Sequence, residues 1–485
     1  MNTKNRRLLS LLAAAAALAI SCGLVTAGDA AAEDSGYFSA SVAGKSTNYV
    51  TIDMNSGVYA DMMIANGNIT STQSVAAMAQ ANGAFAAING TYFEAYEGLP
   101  IAWGTVIRDG EMVHSGNNAV GAFTADGRFL VDRITWEIEG YLDGELVCYP
   151  WRINHPSTEA ESISILTDEY QAPAVPPEGG KAILVGADGR VSGSTEGEFT
   201  VPAGGFVMTF GPAPQILAQA NKFYVGGRVS YSYSAKTTFT GEGDWKNITC
   251  AVGAGPSLII NGQVTADGPA EGFTEDKIVT YAAGRSFIGA TADNRVFFGN
   301  IGAATLTEAA AVCQELGLVN AMCLDGGGSI ALYYEGRVAS GGRDVNNALG
   351  FFRGEKQPPL GVSINGRAVN WTDARPFIDE NSRTLVPLRA VADAMGLEIS
   401  WDGGKQEAKF TDGERSIIFP VGSRSALTTE GSVTMDTAAI VIEGRTYAPA
   451  RPLAVYFGYE VTWDGATRTV ILTKEGDGPI GGDGL

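Results

Sequence analysis

An apolar run that ends at Asp325 and three consecutive glycines, Gly326, Gly327 and Gly328, constrains the fold of this chain more than any other feature. Glycine loses more backbone freedom on folding than other residues, but it accepts positive φ angles and lets a ligand approach the main chain. The pattern therefore predicts a buried strand with a polar-ligand site at its tip, where Ser329 follows the glycines. A tight turn that only needs its glycines is the alternative.

A second segment of the same build lies more than two hundred residues upstream. Residues 75–82 have the pattern of a helix that stops at Gly83, and an apolar strand then leads to Asn89 and Gly90. If this strand and the one before Asp325 belong to one sheet, Asn89 and Asp325 are expected at the same edge of that sheet.

Capping signals favour a helix before each of the two strands. Ser71 and Thr72 are the candidate N-caps upstream. Downstream, Thr305 and Glu308 have the spacing of a capping box, and Gly317 stands where a left-handed C-terminal cap is expected.

Composition limits the classes of partner. The chain has 485 residues, which predicts two or three domains, and 45% of them are hydrophobic, as in folded globular proteins. Its formal charge of −20 argues against nucleic acids and anionic membranes as partners, because phosphate binding needs clustered basic residues. A phosphate-bearing substrate would need local arginines that act against this overall charge.

The residue inventory favours carboxylate chemistry. Only two histidines are present, without an HExxH motif, a GxSxG elbow or a P-loop, so histidine-dependent hydrolysis is poorly supported. We predict no metal site and no cofactor, and the requirement for a divalent cation stays open. A carboxylate can attack or stabilise the oxocarbenium-like centre of a glycosidic cleavage, or activate water for it.

The first 32 residues have the pattern of a secretory signal peptide: basic residues, the apolar run 8–20 and then small residues. The run is too short for a membrane span, so no transmembrane segment is expected in the mature chain. Cleavage after Ala27 or a nearby alanine is the main expectation, and a lipoprotein-type cleavage at Cys22 is the alternative. Either way, we predict a secreted or cell-envelope-associated protein.

The cysteines leave two alternatives open. If Cys22 leaves with the signal peptide, four cysteines remain, which allows three disulfide connectivities in an oxidising compartment. Their apolar surroundings favour buried free thiols instead. The four are Cys148, Cys250, Cys313 and Cys323.

The chain changes character after a predicted linker at 356–360. In residues 361–475 a pattern recurs at a spacing of 62 residues, in which Trp401 returns as Trp463. We predict a small C-terminal α+β domain of two pseudo-symmetric repeats, with the tryptophans in its core rather than serving as sugar platforms. Residues 476–485 are predicted to be a disordered tail.

Five motifs in order along residues 36–353 resemble the phosphodiester glycosidase family, which extends the prediction to a catalytic domain at 33–355. Residues 361–475 resemble the stalk domain, also called the copper amine oxidase N-terminal domain. That region contains no His or Cys, so copper binding is not expected. The five motifs are residues 88–93, 253–256, 284–286, 324–329 and 343–350.

The resemblance implies site residues and a fold. Asp325 is predicted to act at the anomeric carbon or on its water, and Arg343 and Arg285 are predicted to clamp a phosphate through bidentate donors. The predicted fold of the main domain is α+β, a mixed twisted sheet with flanking helices. The predicted substrate-binding residues are Asn89, Gly90, Gly326, Gly327, Gly328, Ser329 and Asn347.

Two functions follow as expectations. The first is a secreted hydrolase that cleaves the bond between sugar and phosphate in a glycosyl-1-phosphodiester of envelope or exopolysaccharide material. The second is a non-catalytic carbohydrate-binding protein of the cell envelope. The oligomeric state is left open.

Overall fold

The computed structural model describes residues 35–356, 360–369, 376–379, 383–442, 445–465 and 467–474. The predicted signal peptide with Cys22, the middle of the predicted linker and the predicted tail lie outside the described residues.

Strands are the main regular structure of the described chain up to residue 353. The first twelve are β1 (Ser35–Val42), β2 (Lys45–Asp53), β3 (Val58–Ile64), β4 (Ala86–Asn89), β5 (Val106–Arg108), β6 (Glu111–His114), β7 (Asn118–Thr124), β8 (Phe129–Leu142), β9 (Glu145–Cys148), β10 (Arg152–Ile153), β11 (Ile163–Thr167) and β12 (Lys181–Val185). The next twelve are β13 (Val191–Thr195), β14 (Phe206–Phe210), β15 (Val229–Lys236), β16 (Ile248–Ala254), β17 (Ser257–Ile260), β18 (Gln263–Val264), β19 (Ala283–Ala290), β20 (Arg295–Ala304), β21 (Asn320–Cys323), β22 (Leu332–Tyr334), β23 (Arg337–Ser340) and β24 (Asn347–Arg353).

The C-terminal part is also built mainly of strands. They are β25 (Gly361–Ile364), β26 (Arg367–Ala368), β27 (Phe377–Ile378), β28 (Thr384–Pro387), β29 (Glu398–Asp402), β30 (Glu407–Thr411), β31 (Ser416–Pro420), β32 (Ser425–Thr428), β33 (Gly431–Thr434), β34 (Ile440–Ile442), β35 (Arg445–Pro449), β36 (Glu460–Asp464) and β37 (Thr469–Thr473).

Helices are few and short in the described residues. They are α1 (Val75–Asn82), α2 (Pro214–Ala220), α3 (Asp276–Val279), α4 (Leu306–Glu315), α5 (Leu388–Ala394) and α6 (Ala450–Tyr456). Short 3-10 turns occupy Ala65–Gly67, Glu242–Trp245, Pro269–Glu271 and Gly327–Ser329.

Four sheets build the main domain, and two of them carry the site described below. These two have the strand orders β1-β2-β20-β19-β21-β17-β18 and β23-β22-β4-β24-β3. The other two are β15-β8-β7-β16-β5-β6, where β9 also joins β8, and β10-β11-β14-β12-β13. Up to residue 353, β10 and β11 are the only parallel neighbours among the described strands.

The predicted α+β fold, a mixed twisted sheet with flanking helices, is wrong for the main domain and also for the C-terminal domain. Strand accounts for 48% and helix for 13% of the structure, and the sheets are largely antiparallel. The reason lies in the turns: Asp109-Gly110, Asp143-Gly144 and Asn261-Gly262 all have positive φ angles, as tight hairpins need. Strands joined by such turns pair directly and need no crossover helix.

The predicted caps are partly confirmed. Thr305 and Glu308 form the capping box of α4, and Gly317 follows that helix with φ +76°. The N-cap of α1 is Ser74, whose hydroxyl accepts a hydrogen bond from the N–H of Ala77, so Ser71 and Thr72 were the wrong candidates.

The two sheets that carry the site pack against each other through a shared core. Phe298 on β20 and Phe351 on β24 are fully buried and stack with ring centroids 4.4 Å apart. Burial of one such ring is worth roughly 1.5–3 kcal/mol, so this contact helps to fix the relation between the sheets.

Three sheets and two seven-residue helices form the C-terminal part. The sheet orders are β26-β25-β37-β36, β27-β28-β35-β34 and β29-β30-β31-β32-β33, and α5 and α6 contribute to one apolar core with them. The four cysteines that the structure describes, Cys148, Cys250, Cys313 and Cys323, are buried free thiols. Among the described residues there is no helix with the length and apolar character to cross a membrane.

Candidate active site

The tips of β4 and β21 meet although the two strands lie in different sheets. The backbone N–H of Asp325 donates to the carbonyl of Gly90 at 3.1 Å, and the side-chain amide of Asn89 donates to the carbonyl of Asp325 at 2.7 Å. The expectation of a single sheet is therefore wrong, but both segments do reach one place.

Asn89 is a buried structural residue. Its side chain has no exposed surface, and its oxygen accepts hydrogen bonds from the Ser286 hydroxyl at 2.7 Å and the Ala331 N–H at 3.1 Å. Both ends of the amide are thus bonded to the protein. The geometry does not favour the predicted role of Asn89 in orienting substrate hydroxyls.

Asn347, like Asn89, is a buried residue whose side chain is hydrogen-bonded within the protein. It is 1% exposed, its side-chain oxygen accepts from the Thr91 N–H at 3.1 Å, and its amide donates to Asn346 at 3.0 Å. A Cβ on Gly90 would stand 1.9 Å from that oxygen, so only glycine fits there. Asn347 and Gly90 therefore shape the loop after β4, and the Asn347 side chain faces the protein rather than a ligand.

Asp325 is the carboxylate of the site. Burial raises the pKa of Asp325 to about 6, although hydrogen bonds from the Ser329 side chain and the Gly326 backbone and the charges of Arg343 and Lys277 act in the opposite direction. A carboxyl group whose pKa lies near neutrality can exchange its proton in the working pH range of an enzyme.

Each of the three positions after Asp325 requires glycine for a different structural reason. A Cβ on Gly326 would stand 2.9 Å from the carbonyl oxygen of Gly284, and Gly327 has φ +58°. A Cβ on Gly328 would stand 2.5 Å from Nη2 of Arg343. The triplet therefore lets the backbone turn sharply and lets the Arg343 guanidinium lie against it.

Arg343 borders the carboxylate. Its backbone N–H donates to the carbonyl of Gly328 at 2.8 Å, and its Nη2 donates to the hydroxyl of Tyr96 at 3.1 Å. The guanidinium also lies over the Tyr96 ring, 5.0 Å from its centroid, and Tyr96 is 77% exposed. Arg343 is therefore held from one side, and its positive charge lowers the pKa of Asp325.

The guanidinium of Arg285 is bonded to backbone carbonyls and is not placed as the predicted phosphate clamp. Arg285 is 5% exposed and donates to the carbonyls of Ala304 at 2.6 Å, Ile278 at 3.0 Å and Tyr281 at 3.1 Å. These bonds fasten the segment that contains α3. Since α3 carries Lys277, the geometry assigns Arg285 to positioning that segment. Lys277 forms an ion pair with Glu275 at 2.7 Å, and its charge, like that of Arg343, lowers the pKa of Asp325.

Lys277, Tyr92 and Tyr96 belong to the site but were not among the predicted site residues. Tyr92 is deeply placed, its hydroxyl donates to the Gly255 carbonyl at 2.7 Å, and burial raises its pKa well above the usual value, with the charge of Asp325 adding to the shift. Tyr92 lies within a motif and could have been selected. Lys277 lies on the short helix α3 and Tyr96 lies in a loop, and the sequence carries no such signal at either position.

No group of three or more His, Cys, Asp or Glu side chains with metal-binding geometry occurs among the described residues.

Glu94 shapes the loop that carries Tyr96. Its carboxylate accepts hydrogen bonds from the backbone N–H groups of Tyr96 at 3.2 Å and Glu97 at 3.3 Å.

Comparison with protein families assigns both parts of the chain. Residues 177–352 match the model of the phosphodiester glycosidase family. This segment is therefore similar to phosphodiester glycosidases. Residues 363–472 match the model of the copper amine oxidase N-terminal domain, so the second predicted resemblance is also confirmed. No curated protein sequence matches this chain.

The fold of the main domain is similar to that of solved structures. A hypothetical protein from Synechocystis is 21% identical with TM-score 0.56, over 65% of this chain and 61% of that one. A putative exported protein from Burkholderia pseudomallei K96243 is 19% identical with TM-score 0.53, over 64% and 74% of the two chains. At such identities the likeness describes the fold alone.

A third solved structure is the catalytic domain of zebrafish N-acetylglucosamine-1-phosphodiester alpha-N-acetylglucosaminidase, auto-inhibited by its pro-peptide. It is 13% identical over 67% of this chain and 83% of that one, with TM-score 0.37, too low to compare residues. The family match contains Asp325, Arg343 and Arg285, whereas Asn89 and Tyr92 lie upstream of it.

Proposed function

We propose that the chain is a secreted phosphodiester glycosidase that hydrolyses the bond between the anomeric carbon and the phosphate of a glycosyl-1-phosphodiester. The observation that supports this most is the placement of Asp325, a carboxyl group with a pKa of about 6 on which the positive charges of Arg343 and Lys277 act.

The cations suit a phosphate leaving group. Arg343 offers planar, bidentate donors that match phosphate oxygens, and Lys277, which is ion-paired with Glu275, adds a second positive charge that acts on Asp325. Both neutralise charge that builds up on the phosphate as the bond to carbon breaks. Because a phosphate monoester leaves readily, proton donation to it matters less than this neutralisation.

Asp325 supplies the group that faces the sugar. In its ionised form it attacks the anomeric carbon or removes a proton from the attacking water. The products are a free sugar and a phosphate monoester, with one water consumed. The backbone amides of Gly327 and Gly328 follow it and can donate to sugar or phosphate oxygens.

The substrate class is an envelope or exopolysaccharide component that carries a sugar-1-phosphodiester. This part of the proposal rests on the predicted signal peptide and on the family match. The choice of sugar is set by the loop at Tyr96, which is exposed and borders Arg343.

The test is hydrolysis of methyl esters of sugar-1-phosphates that differ only in the sugar, carried out in ¹⁸O-labelled water with the purified chain. Attack at the anomeric carbon places ¹⁸O in the released sugar, whereas a phosphodiesterase places it in the phosphate. We expect label in the sugar and a loss of at least 10³-fold in rate for Asp325→Asn, in line with removal of a reacting carboxylate.

Label in the phosphate would contradict the proposal. Sugar binding without turnover in the chain and in Asp325→Asn alike would favour the non-catalytic alternative.

A further inference from the structure

Two pockets in the C-terminal domain have no assigned ligand. The larger has a volume of about 1000 Å³ and the smaller about 660 Å³. Volumes in this range accommodate sugar-sized ligands or short segments of a polymer.

The two pockets are built from equivalent residues. Eleven of the thirteen residues that line the smaller pocket have a counterpart 62 positions away among the residues that line the larger one. Arg389 and Trp401 in the smaller pocket correspond to Arg451 and Trp463 in the larger. This spacing is the one at which the sequence pattern recurs.

Each pocket takes residues from both halves of the domain. The smaller pocket is lined by the start of α5 and by β29 from one half, and by Arg445 and Thr446 of β35 from the other half. The larger pocket is lined by α6 and β36 from the second half, and by Arg383 and Thr384 of β28 from the first half. The reason is that β28 and β35 pair antiparallel, so each strand crosses to the partner half of the domain.

The pairing register relates the two halves. Leu385 pairs with Pro449 and Pro387 pairs with Tyr447, so each pair is converted into the other by the 62-residue shift. Val386 pairs with its own counterpart, Ala448. A local twofold axis at this central pair would carry one pocket onto the other.

The tryptophans lie in the pockets rather than in the core, so the prediction of core tryptophans is wrong. Trp401 is 45% exposed and Trp463 is 48% exposed. Each indole has the same position relative to its turn: Nε1 would be 3.5 Å from a Cβ on Gly403 and 3.6 Å from a Cβ on Gly465. The Trp-Asp-Gly turn thus presents an indole at the wall of each pocket.

Arginines make both pockets more positive than the chain as a whole. The smaller pocket is lined by Arg389, Arg445 and one acidic residue, Asp393. The larger pocket is lined by three arginines and two acidic residues. One of these acidic residues, Asp436, forms an ion pair with Arg383 at 2.8 Å. The lining residues of each pocket therefore have a formal surplus of one positive charge in a chain of charge −20, although Arg415 in the larger pocket also pairs with Asp412 at 2.9 Å.

The equivalent pair Arg389 and Arg451 is available for a ligand. Within the part of the chain that the structure describes, neither guanidinium has a hydrogen-bond or ion-pair partner, and both residues are exposed. Guanidinium groups bind carboxylates and phosphates through paired donors.

From these observations we infer that the C-terminal domain carries two equivalent binding sites for an acidic glycan. In each site the indole face stacks on a sugar ring, and Arg389 or Arg451 binds an anionic substituent of that sugar. Two like sites on one domain suit a polymer with a repeating unit, since a second contact with the same polymer is intramolecular and raises the overall affinity. The inference does not depend on the proposed cleavage by Asp325.

The experiment measures binding of the full chain carrying Asp325→Asn, so that no probe is consumed. The short probes are oligogalacturonate of four residues, which carries carboxylates, and a mannose oligomer of the same length that carries phosphate. Maltotetraose serves as the neutral probe and oligo-dT as the nucleic acid. Intrinsic fluorescence and calorimetry report affinity and stoichiometry.

We expect two sites for at least one of the acidic oligomers, at least 10-fold weaker binding of maltotetraose, and no binding of oligo-dT. Trp401→Ala or Trp463→Ala should leave one site, and the double variant none. With a long acidic polymer, each single variant should lose at least 10-fold in apparent affinity, because the second contact is gone. Arg389→Ala and Arg451→Ala should weaken the acidic oligomers without changing the binding of maltotetraose.

Leu427→Ala is the matched control, since Leu427 is 42% exposed in the same domain and lines neither pocket. Circular dichroism establishes that each variant is folded. Unchanged binding in the folded double tryptophan variant would overturn the inference, as would equal affinity for maltotetraose or preferential binding of oligo-dT.

Discussion

The side-chain amide of Asn89 donates a 2.7 Å hydrogen bond to the backbone carbonyl of Asp325, across 236 positions of sequence. This bond joins two sheets at the point where the candidate catalytic carboxylate leaves its strand. It makes Asn89 a positioning residue, and it connects the stability of the fold with the geometry of the site.

Replacement of Asn89 by alanine should therefore reduce both stability and activity. The change leaves the Asp325 carbonyl, the Ser286 hydroxyl and the Ala331 N–H without their partner, and an unsatisfied buried group costs about 1–3 kcal/mol. We expect a loss of about 2–4 kcal/mol in the free energy of unfolding, measured by denaturant titration. Asn55→Ala, in an exposed turn, is the control and should change little. A stable Asn89→Ala chain would show that the bond does not join the sheets.

The dependence of activity on pH should follow the ionisation of Asp325. Because Asp325 acts in its ionised form, kcat/KM should rise with pH and reach half its maximum near the pKa of about 6. The positive charge of Arg343 lowers that pKa, so Arg343→Ala should move the midpoint upwards as well as reduce the rate. Arg128→Ala, an exposed arginine paired with Asp126, should leave the midpoint unchanged. A rate that falls with pH through this range would instead mean that the protonated form of Asp325 acts.

The raised pKa of Asp325 also has a consequence for stability. Its value in the folded chain lies above the value of about 3.9 for an exposed Asp, so between these two pH values the folded chain binds more protons than the unfolded chain. The contribution of Asp325 to stability is therefore lost as the pH rises through about 6.

Asp325→Asn removes this penalty. At pH 8 the variant should be more stable than the natural chain by about 1–3 kcal/mol, and at pH 4 the two should be nearly equal. Thermal unfolding at the two pH values measures the difference. An equal difference at both values would mean that the effect comes from packing and not from ionisation.

Replacement of Gly328 should reduce the activity of the chain strongly but change its stability little. A Cβ at this position would stand 2.5 Å from Nη2 of Arg343, which is the far end of a flexible side chain and can move away. We expect Gly328→Ala to lower kcat/KM by about 100-fold while the melting temperature changes by only a few degrees, because a displaced guanidinium no longer meets the phosphate.

The matched control for Gly328→Ala is Gly341→Ala in the following loop, where a Cβ would make an ordinary contact of 3.6 Å with Val338. Full activity of Gly328→Ala would argue that Arg343 has no part in the reaction.

The sequence determined the local features of this protein. The motif from Asp325 to Ser329, the capping box at Thr305 and the glycine stop after α1 depend on neighbouring residues and on the backbone angles that glycine alone accepts, so they could be predicted. The Asp-Gly and Asn-Gly turns are local too, and they carried a signal for antiparallel hairpins that the α+β prediction did not use.

Only the tertiary structure decided which side chains face a ligand. Asn89, Asn347 and Arg285 are polar residues in motifs, yet their partners are backbone groups and side chains from distant parts of the chain, and a buried polar group has to find such partners. Lys277 and Tyr96 are positioned because Arg285 and Glu94 fasten the segments that carry them. The 62-residue pattern likewise predicted two similar halves, but the exposure of Trp401 and Trp463 follows from how β28 and β35 pair. Residue types and short spacings are written in the sequence, whereas contacts between distant segments depend on the packing of the whole fold.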